Sequence, residues 1–440
     1  QVTGGPAFGA DITSSFDGAD FTLLIVTILI VALLLIVTYR SPVLWLLPLV
    51  VVAFADQLAS KATEALGAWL DLQFDAGIIS VLVFGAGTNY ALLLISRYRE
   101  ELTVNDDHRV ALSTAWRKTV PAIVASNVTV VLALLTLALA VIPGTRGLGS
   151  SSAAGLLIAL AAVLFALPPV LAVCGRKVFW PFVPKPGGAV KKEGAAKQGS
   201  AWRSIATHVM KRPAVSLVGG IALLAVMATG LLGTTVGLDQ IQKFRVQSES
   251  AAGLEVLSDH FPPGEAQPIL IVAASDQADE VVDAVSDVDG VVRAHPTGET
   301  DDGELTRIMV TVSELRGVAH AVPDADALVG GAIATDLDAR AGNQQDLLLI
   351  APLVLAVSFI VLLVLLRSLV APVVLLLVNL ASAAAAIGAG AWLSRVLFDQ
   401  PALDLQVPLL AFLFLVALGI DYTIFLVHRA RSEAQARGTR

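Results

Sequence analysis

Long apolar runs dominate the chain and are separated by short polar stretches. Nine of these runs are long enough to cross a membrane as helices, because about 20 helical residues span a hydrocarbon core of about 30 Å. They cover residues 21–39, 43–60, 77–95, 119–142, 150–174, 213–232, 347–366, 369–394 and 405–427. The pattern therefore predicts a polytopic α-helical membrane protein.

One long polar segment, residues 233–345, interrupts this pattern between the sixth and seventh spans. Within it, residues 268–274 and 305–312 are rich in β-branched and apolar side chains, which predicts two strands. Residues 275–288 and 324–341 have the spacing of amphipathic helices. The segment is therefore predicted to be a water-soluble α/β domain inserted between two membrane helices.

Charge is distributed unevenly along the chain. Lys and Arg number 29 and Asp and Glu number 37, which gives a net charge of −8. The polar segment alone carries −14, so the remainder carries +6. Twenty of the 29 basic residues fall on the opposite side of the predicted spans from this segment. Because basic loops are retained in the cytoplasm, we expect a multi-pass protein of the cytoplasmic (inner) membrane with its soluble domain on the periplasmic side.

Composition excludes several classes of protein. Hydrophobic residues make up 56% of the chain and charged residues 15%, against about 45–50% and about 25% in soluble domains. A disordered or nucleic-acid-binding chain is therefore excluded. The single cysteine, Cys174, cannot form an internal disulfide, and the histidines lack metal-ligand spacing. Without a P-loop, or a paired nucleophile and base in the spans, we expect no cofactor, no metal and no enzymatic activity.

Short motifs recur at nearly constant offsets, which predicts a tandem repeat. Arg40-Ser41 matches Arg367-Ser368 at an offset of 327, and residues 9–12 resemble residues 334–337 at an offset of 325. The motif of residues 88–94 matches that of residues 420–426 at an offset of 332. Duplicated bundles with the same sidedness are related by a pseudo-twofold axis along the membrane normal.

The repeat register also predicts the domain organisation. Counterparts of one helix and most of an external domain are expected before residue 1, and counterparts of two helices after residue 440, which would complete a molecule of twelve helices. The predicted divisions are the end of a first external porter domain (1–20), a first repeat of five helices (21–182), a cytoplasmic linker (183–212), the first helix of the second repeat (213–232), a second porter domain (233–345) and three further helices (346–440).

The strongest candidate for chemistry is Asp421, about 12 Å inside the last span as measured from Arg429. Ionisable residues within a membrane are rare, and each is a functional hypothesis. Desolvation favours the neutral form of a carboxyl, which lets Asp421 take up and release a proton, and Tyr422 adds a hydroxyl beside it. The dipeptide recurs in the first repeat as Asn89-Tyr90, where the amide cannot titrate. A purely structural pairing of Asp421 with a neighbouring helix is the alternative.

Other polar residues in the spans are more ambiguous. Ser126, Asn127 and Thr129 form a polar patch that is expected either to support the Asp421 region or to bond one helix to another. Asp56 is expected to be an interfacial polar residue near the outer end of its span.

Four motifs carry a resemblance to a known family. They are residues 85–102 (GAGTNYALLLISRYREEL), 115–131, 174–184 and 419–431 (GIDYTIFLVHRAR). The chain resembles the MMPL-type transporters of the resistance-nodulation-division (RND) superfamily of actinobacteria. The resemblance implies twelve helices, two periplasmic porter domains and export driven by the proton motive force. It also implies a proton relay in which Asp421 faces Tyr90 and Asn89 faces Tyr422, although the family usually has Asp where this chain has Asn89.

The leading hypothesis is a secondary active exporter that exchanges protons for a hydrophobic or lipid-like substrate. Its other expected partners are the surrounding membrane lipids. One alternative is an uncoupled lipid-binding or scaffold protein of the same architecture. A SecDF-like protein translocation partner is another. The sequence leaves open the substrate, the oligomeric state (monomer or trimer), and whether Asn89 is natural or an engineered replacement of Asp.

Overall fold

The structure is a computed structural model of the chain. It describes residues 19–73, 76–184, 204–205, 207–238, 252–253, 256, 260, 268–288, 290–312, 328–330, 332–400 and 402–420. Within these residues, eight helices are long and apolar enough to cross a membrane, and a ninth apolar helix is shorter. The chain divides into two compact units, one of them composed of residues 1–19, 236–345 and 402–405. The predicted class, a polytopic helical membrane protein with a soluble sheet domain, is confirmed.

Ten of the eleven described α-helices overlap the apolar runs of the sequence, and the other, the eighth in chain order, lies in the polar segment. The helices are α1 (Ala19–Tyr39), α2 (Leu46–Leu70), α3 (Ala76–Glu101), α4 (His108–Leu135), α5 (Pro143–Ala161), α6 (Leu167–Cys174), α7 (Pro213–Ala228), α8 (Ala278–Ser286), α9 (Ala332–Leu366), α10 (Val370–Phe398) and α11 (Val407–Ile420). A π-helical turn, Ala162–Ala166, joins α5 to α6, so that the two helices and the turn between them form one continuous span.

Helix α2 is longer than the apolar run that predicted it. The run ends at residue 60, but the helix continues through Lys61 and Glu64, which form an exposed ion pair at 2.7 Å. It ends at Asp71, whose left-handed backbone (φ 51°) directs its N–H to the Gly67 carbonyl. Asp56 therefore lies ten residues into a helix of 25 residues and is 4% exposed. The predicted helix end near Asp56 was wrong, because the helix continues to Leu70.

Close crossings of α2, α3 and α5 build the core of the first repeat. A β-carbon at Gly155 of α5 would lie 3.1 Å from Val83 and 3.2 Å from Ile79, both on α3. A β-carbon at Gly147, one turn into α5, would overlap the carbonyl oxygen of Gln73. Glycine at these positions lets the backbones approach closely. The second of these contacts also places the α2–α3 connection beside the beginning of α5.

The soluble unit contains a four-stranded antiparallel sheet in the order β3-β4-β2-β5. Its strands are β2 (Ile269–Ala274), β3 (Val291–Glu299), β4 (Leu305–Val312) and β5 (Leu328–Gly330), while β1 (Thr235–Val236) and β6 (Ala402–Leu403) pair separately. Alternate residues of β2 are buried. Ile271 of β2, Val310 of β4 and Val285 of α8 share one apolar core, so the helix covers one face of the sheet.

Three of the four predicted elements of this unit match the structure closely, namely the strands at 268–274 and 305–312 and the helix at 275–288. The helix predicted at 324–341 was wrong in part, because residues 328–330 form β5. From Ala332 onward the chain forms one helix of 35 residues, α9, which continues without a break into the predicted span at 347–366.

Candidate functional site

The first candidate dipeptide, Asn89-Tyr90, lies at the middle of α3, a helix of 26 residues. Tyr90 is fully buried and is among the largest fully buried side chains of the molecule, whereas Asn89 is partly exposed. The second dipeptide, Asp421-Tyr422, lies outside the described residues, and α11 is described as far as Ile420. The structure therefore places two of the four predicted relay residues, and the relay pairing stays a prediction.

A glycine precedes each dipeptide by two residues and is in tight contact with the preceding helix. In the first repeat, a β-carbon at Gly87 would lie 3.0 Å from Val52 Cγ2 of α2. In the second repeat, a β-carbon at Gly419 would overlap the amide oxygen of Asn379 of α10 and lie 2.9 Å from its Cγ. Val52 and Asn379 differ by 327 positions and the two glycines by 332, which are the offsets of the sequence repeat. Equivalent helix crossings thus lie two residues ahead of both dipeptides in the sequence.

Asn379 does more than fill space at its crossing. Its Nδ2 donates a hydrogen bond of 2.9 Å to the carbonyl oxygen of Val416, so one side chain contacts two successive turns of α11. The chain reaches Asp421 only two residues after Gly419. Sequence reasoning missed this positioning residue. The available signal was a polar amide in the run 370–393, in which Ser382 is the other polar side chain.

In the polar patch on α4, the side chain of the central residue forms a hydrogen bond with a neighbouring helix. Asn127 Nδ2 donates to the Leu156 carbonyl oxygen of α5 at 3.1 Å. Thr129 Oγ1 donates to the Ala125 carbonyl oxygen of its own helix at 2.8 Å. The Ser126 hydroxyl is fully buried and has no hydrogen-bond partner within the described part of the chain. These contacts support the helix–helix alternative for Asn127, and whether the patch reaches Asp421 stays untested.

A carboxylate ties the second repeat to the first. Asp346 of α9 is fully buried, and its two oxygens accept hydrogen bonds from the backbone N–H groups of Val141 at 2.5 Å and Ile142 at 3.2 Å. These residues immediately precede Pro143, where α5 begins. The N-terminal end of a helix carries unpaired N–H groups and a partial positive charge. Asp346 therefore fixes the start of α5 to the long helix that follows the soluble unit.

Ion pairs hold α3 and α4 together at the opposite ends of the spans. Glu101 has a side chain that is 8% exposed, and it pairs with Arg97 at 2.9 Å and with Lys118 at 2.8 Å. Because Lys118 belongs to α4, the bridge fixes the two helices to each other beyond the Asn89-Tyr90 turn. Among the described residues, no group of three or more His, Cys, Asp or Glu side chains could hold a metal ion.

These features define a multi-pass membrane protein that is built from two repeats, with a polar dipeptide anchored inside one described helix. The chain belongs to the MMPL family, whose model matches residues 1–216 and 290–440.

Three relatives show the similarity, and two of them are named as exporters. The membrane protein ActII-3 of Streptomyces coelicolor is 39% identical over 100% of this chain and 63% of its own length. The apo-petrobactin exporter of Bacillus anthracis is 32% identical over 97% of this chain and 62% of its own. The mycolic acid-containing lipids exporter MmpL11 of Mycolicibacterium smegmatis is 25% identical over 83% of this chain and 42% of its own. The chain thus spans 63% or less of each of these proteins.

A solved structure with a similar fold is that of SecDF, a translocon-associated membrane protein from Thermus thermophilus. It matches 98% of this chain and 53% of its own with a TM-score of 0.50 and 17% sequence identity. At that identity the likeness concerns the fold alone.

Proposed function

We propose that this protein is a secondary active exporter that uses the proton motive force to move lipids or other hydrophobic compounds across the cytoplasmic membrane. The observation that carries the proposal is the repeated crossing in which a glycine, two residues ahead of each polar dipeptide, contacts the preceding helix. Two relatives are named as exporters, one of mycolic acid-containing lipids and one of apo-petrobactin. The proposed activity is transport rather than enzymatic catalysis.

In the proposed mechanism, Asp421 binds and releases the coupling proton, with Tyr90 as its partner hydroxyl. A charged carboxylate in an apolar bundle is costly unless it is paired, so protonation changes which helix packing is favoured. Asn379, which touches Gly419 and the Val416 carbonyl, is placed to convert that change into movement of α11 against α10.

The movement must then reach the soluble unit, which is proposed to lie on the periplasmic side and to handle the substrate. Helix α9 provides a continuous connection, because its 35 residues begin directly after β5 and extend into the membrane bundle. Asp346 couples this helix to the start of α5. Protonation in one repeat thereby affects both repeats.

The experiment replaces Asp421 in the complete protein, reconstituted in vesicles with an imposed proton gradient. Asp421→Asn is expected to abolish gradient-driven export of a fluorescent lipid without loss of membrane insertion. Asp399→Asn is the matched control, since it removes one exposed carboxylate at a left-handed position (φ 51°) that Asn tolerates well. Normal export by Asp421→Asn would refute the proposal.

A second candidate function is an uncoupled lipid-binding or scaffold protein of the same architecture. The residue that favours it is Asn89, because an amide cannot carry a proton through the first repeat. Such a protein would bind lipid equally well with and without a proton gradient.

A further inference from the structure

Helix α2 carries a buried carboxylate outside the dipeptides discussed above. Asp56 is 4% exposed and lies near the middle of its helix, on the buried side that also includes Val52 and Ala59. Ser80, on the neighbouring helix α3, lies beside this carboxylate. Within the described residues, no Lys, Arg or His forms an ion pair with Asp56.

The charged groups on the surrounding helices are occupied elsewhere. On α2 itself, Lys61 pairs with Glu64 in solvent. Helix α3 has Tyr90 at its middle, but its charged residues cluster at its last turns, where Arg97 pairs with Glu100 and Glu101. Tyr98 and Arg99 also lie at that end of α3. The other titratable groups on the packed helices are Arg146 at the start of α5, bonded to the Ala140 carbonyl, and Cys174 at the end of α6. A carboxylate without a cation in such surroundings is expensive to keep charged, so binding a proton stabilises it.

The repeat identifies the residue that corresponds to Asp56 in the second half of the chain. At the offset of 327 that relates Val52 to Asn379, Asp56 corresponds to Ala383, which is buried. The second repeat therefore has an acid at 421 and none at this position of α10, whereas the first has Asn89 and an acid on α2. Within the apolar runs of the two helices that meet at the glycine crossing, each repeat has one carboxylate, Asp56 in the first and Asp421 in the second.

The depth of Asp56 relative to the first dipeptide follows from the same crossing. Val52 faces Gly87, and α2 and α3 run in opposite directions. Asp56 is four residues beyond Val52 on one side, and Asn89 is two residues beyond Gly87 on the other. At 1.5 Å per residue the two lie about 9 Å apart along the bundle. Asp56 is the one nearer to the α2–α3 connection, on the side where α5 begins and Asp346 binds.

We propose that Asp56, buried on α2 beside Ser80, is a second proton-binding residue of the bundle and supplies the carboxyl that position 89 lacks. The inference rests on the proposed function for its role in transport, because a proton that enters from the α5-start side meets Asp56 before it meets the Asn89-Tyr90 turn. Protonation of Asp56 itself can be measured without any transport.

The experiment is infrared difference spectroscopy of the complete protein in lipid, as the pH is changed within the range above about 6, where exposed carboxyls stay ionised. The probe is the carbonyl stretch of protonated carboxyl groups. Asp56→Asn is expected to lose one titrating carboxyl band and to lose gradient-driven export. Glu64→Gln, which removes an exposed carboxylate from the same helix, is expected to leave both unchanged. An unchanged band pattern in Asp56→Asn would overturn the inference.

A conservative variant covers the case in which Asp56→Asn does not fold. Asp56→Glu keeps a titratable group at the same place, and its band is expected to shift while remaining pH-dependent. A spectrum identical to that of the wild-type protein would overturn the inference. Because the band is read without substrate, a protein that titrates at Asp56 but shows no coupled export would refute the proposed function and leave the proton site standing.

Discussion

At the residue scale, the contact between Asn379 and Gly419 is the most constrained feature near the predicted relay. The amide side chain lies where a β-carbon of residue 419 would be, and it also bonds the Val416 carbonyl. In the first repeat Val52 occupies the corresponding place against Gly87 with slightly more room. The same crossing is therefore apolar in one repeat and hydrogen-bonded in the other.

Gly419→Ala is expected to destabilise the protein by about 1–3 kcal/mol, the usual cost of overpacking a well-packed core. Gly87→Ala should cost less, because the nearest atoms are Val52 methyl groups at 3.0 and 3.2 Å rather than an overlapping amide. Thermal unfolding in detergent measures both. Gly390→Ala on α10 is the control, since a β-carbon there meets nothing within 4 Å. Equal stability of Gly419→Ala and Gly390→Ala would contradict the described contact.

Glu101→Gln is expected to lower the stability by about 1–2 kcal/mol, because a largely buried carboxylate loses its charge-assisted bonds to Arg97 and Lys118. The loss of stability stays small because the Lys118 side chain is half exposed, so solvent screens its charge. Glu100→Gln, which removes a more exposed partner of Arg97, should change the unfolding temperature little. A larger loss of stability in Glu100→Gln than in Glu101→Gln would contradict the stabilising role of Glu101.

At the element scale, helix α9 and its Asp346 link the two repeats. A single helix of 35 residues has no internal break between the end of β5 and Leu366. Asp346 binds the two N–H groups that precede α5, so displacement of α9 must either carry α5 with it or break these bonds. The element is thus suited to transmit movement between repeats.

Asp346→Ala is expected to reduce gradient-driven export and to lower thermal stability by about 1–3 kcal/mol, because two buried N–H groups lose their acceptor. Asp346→Asn keeps one acceptor oxygen and should give an intermediate result. Asp338→Asn, at an exposed position of the same helix, controls for loss of a carboxylate. Wild-type export and stability in Asp346→Ala would show that the link has no part in coupling.

The sequence predicted these elements to different degrees, for physical reasons. The spans were predictable because lipid requires about 20 apolar residues in a row. Strand β3 was missed because Pro296 and Gly298 interrupt its pattern, at a place where its pairing with β4 also shifts register. The end of α2 was misjudged because the helix continues past the apolar run into exposed charges. Contacts such as that of Asn379 with Gly419 depend on helix crossings, which a single sequence does not determine.

At the scale of the whole molecule, the net charge has opposite signs in the predicted soluble segment and in the rest of the chain. Residues 233–345 carry −14 and the remainder of the chain carries +6, which the positive-inside rule turns into an orientation. The single native cysteine makes this orientation straightforward to test.

In a Cys174→Ser background, Ser286→Cys on the exposed side of α8 is expected to react with a membrane-impermeant maleimide in intact cells. Asp106→Cys, between α3 and α4, should react only after the membrane is permeabilised. Both positions are exposed, so differences in labelling report sidedness rather than burial. Labelling of Asp106→Cys in intact cells would place the soluble unit on the cytoplasmic side instead.

The most direct test of proton-coupled export is efflux of a fluorescent lipid from vesicles that contain the complete wild-type protein, measured before and after a protonophore dissipates the proton gradient. Proton coupling predicts that efflux stops when the gradient collapses and resumes when an artificial gradient is imposed. Efflux that continues at the same rate without a gradient would contradict it and would favour the uncoupled alternative.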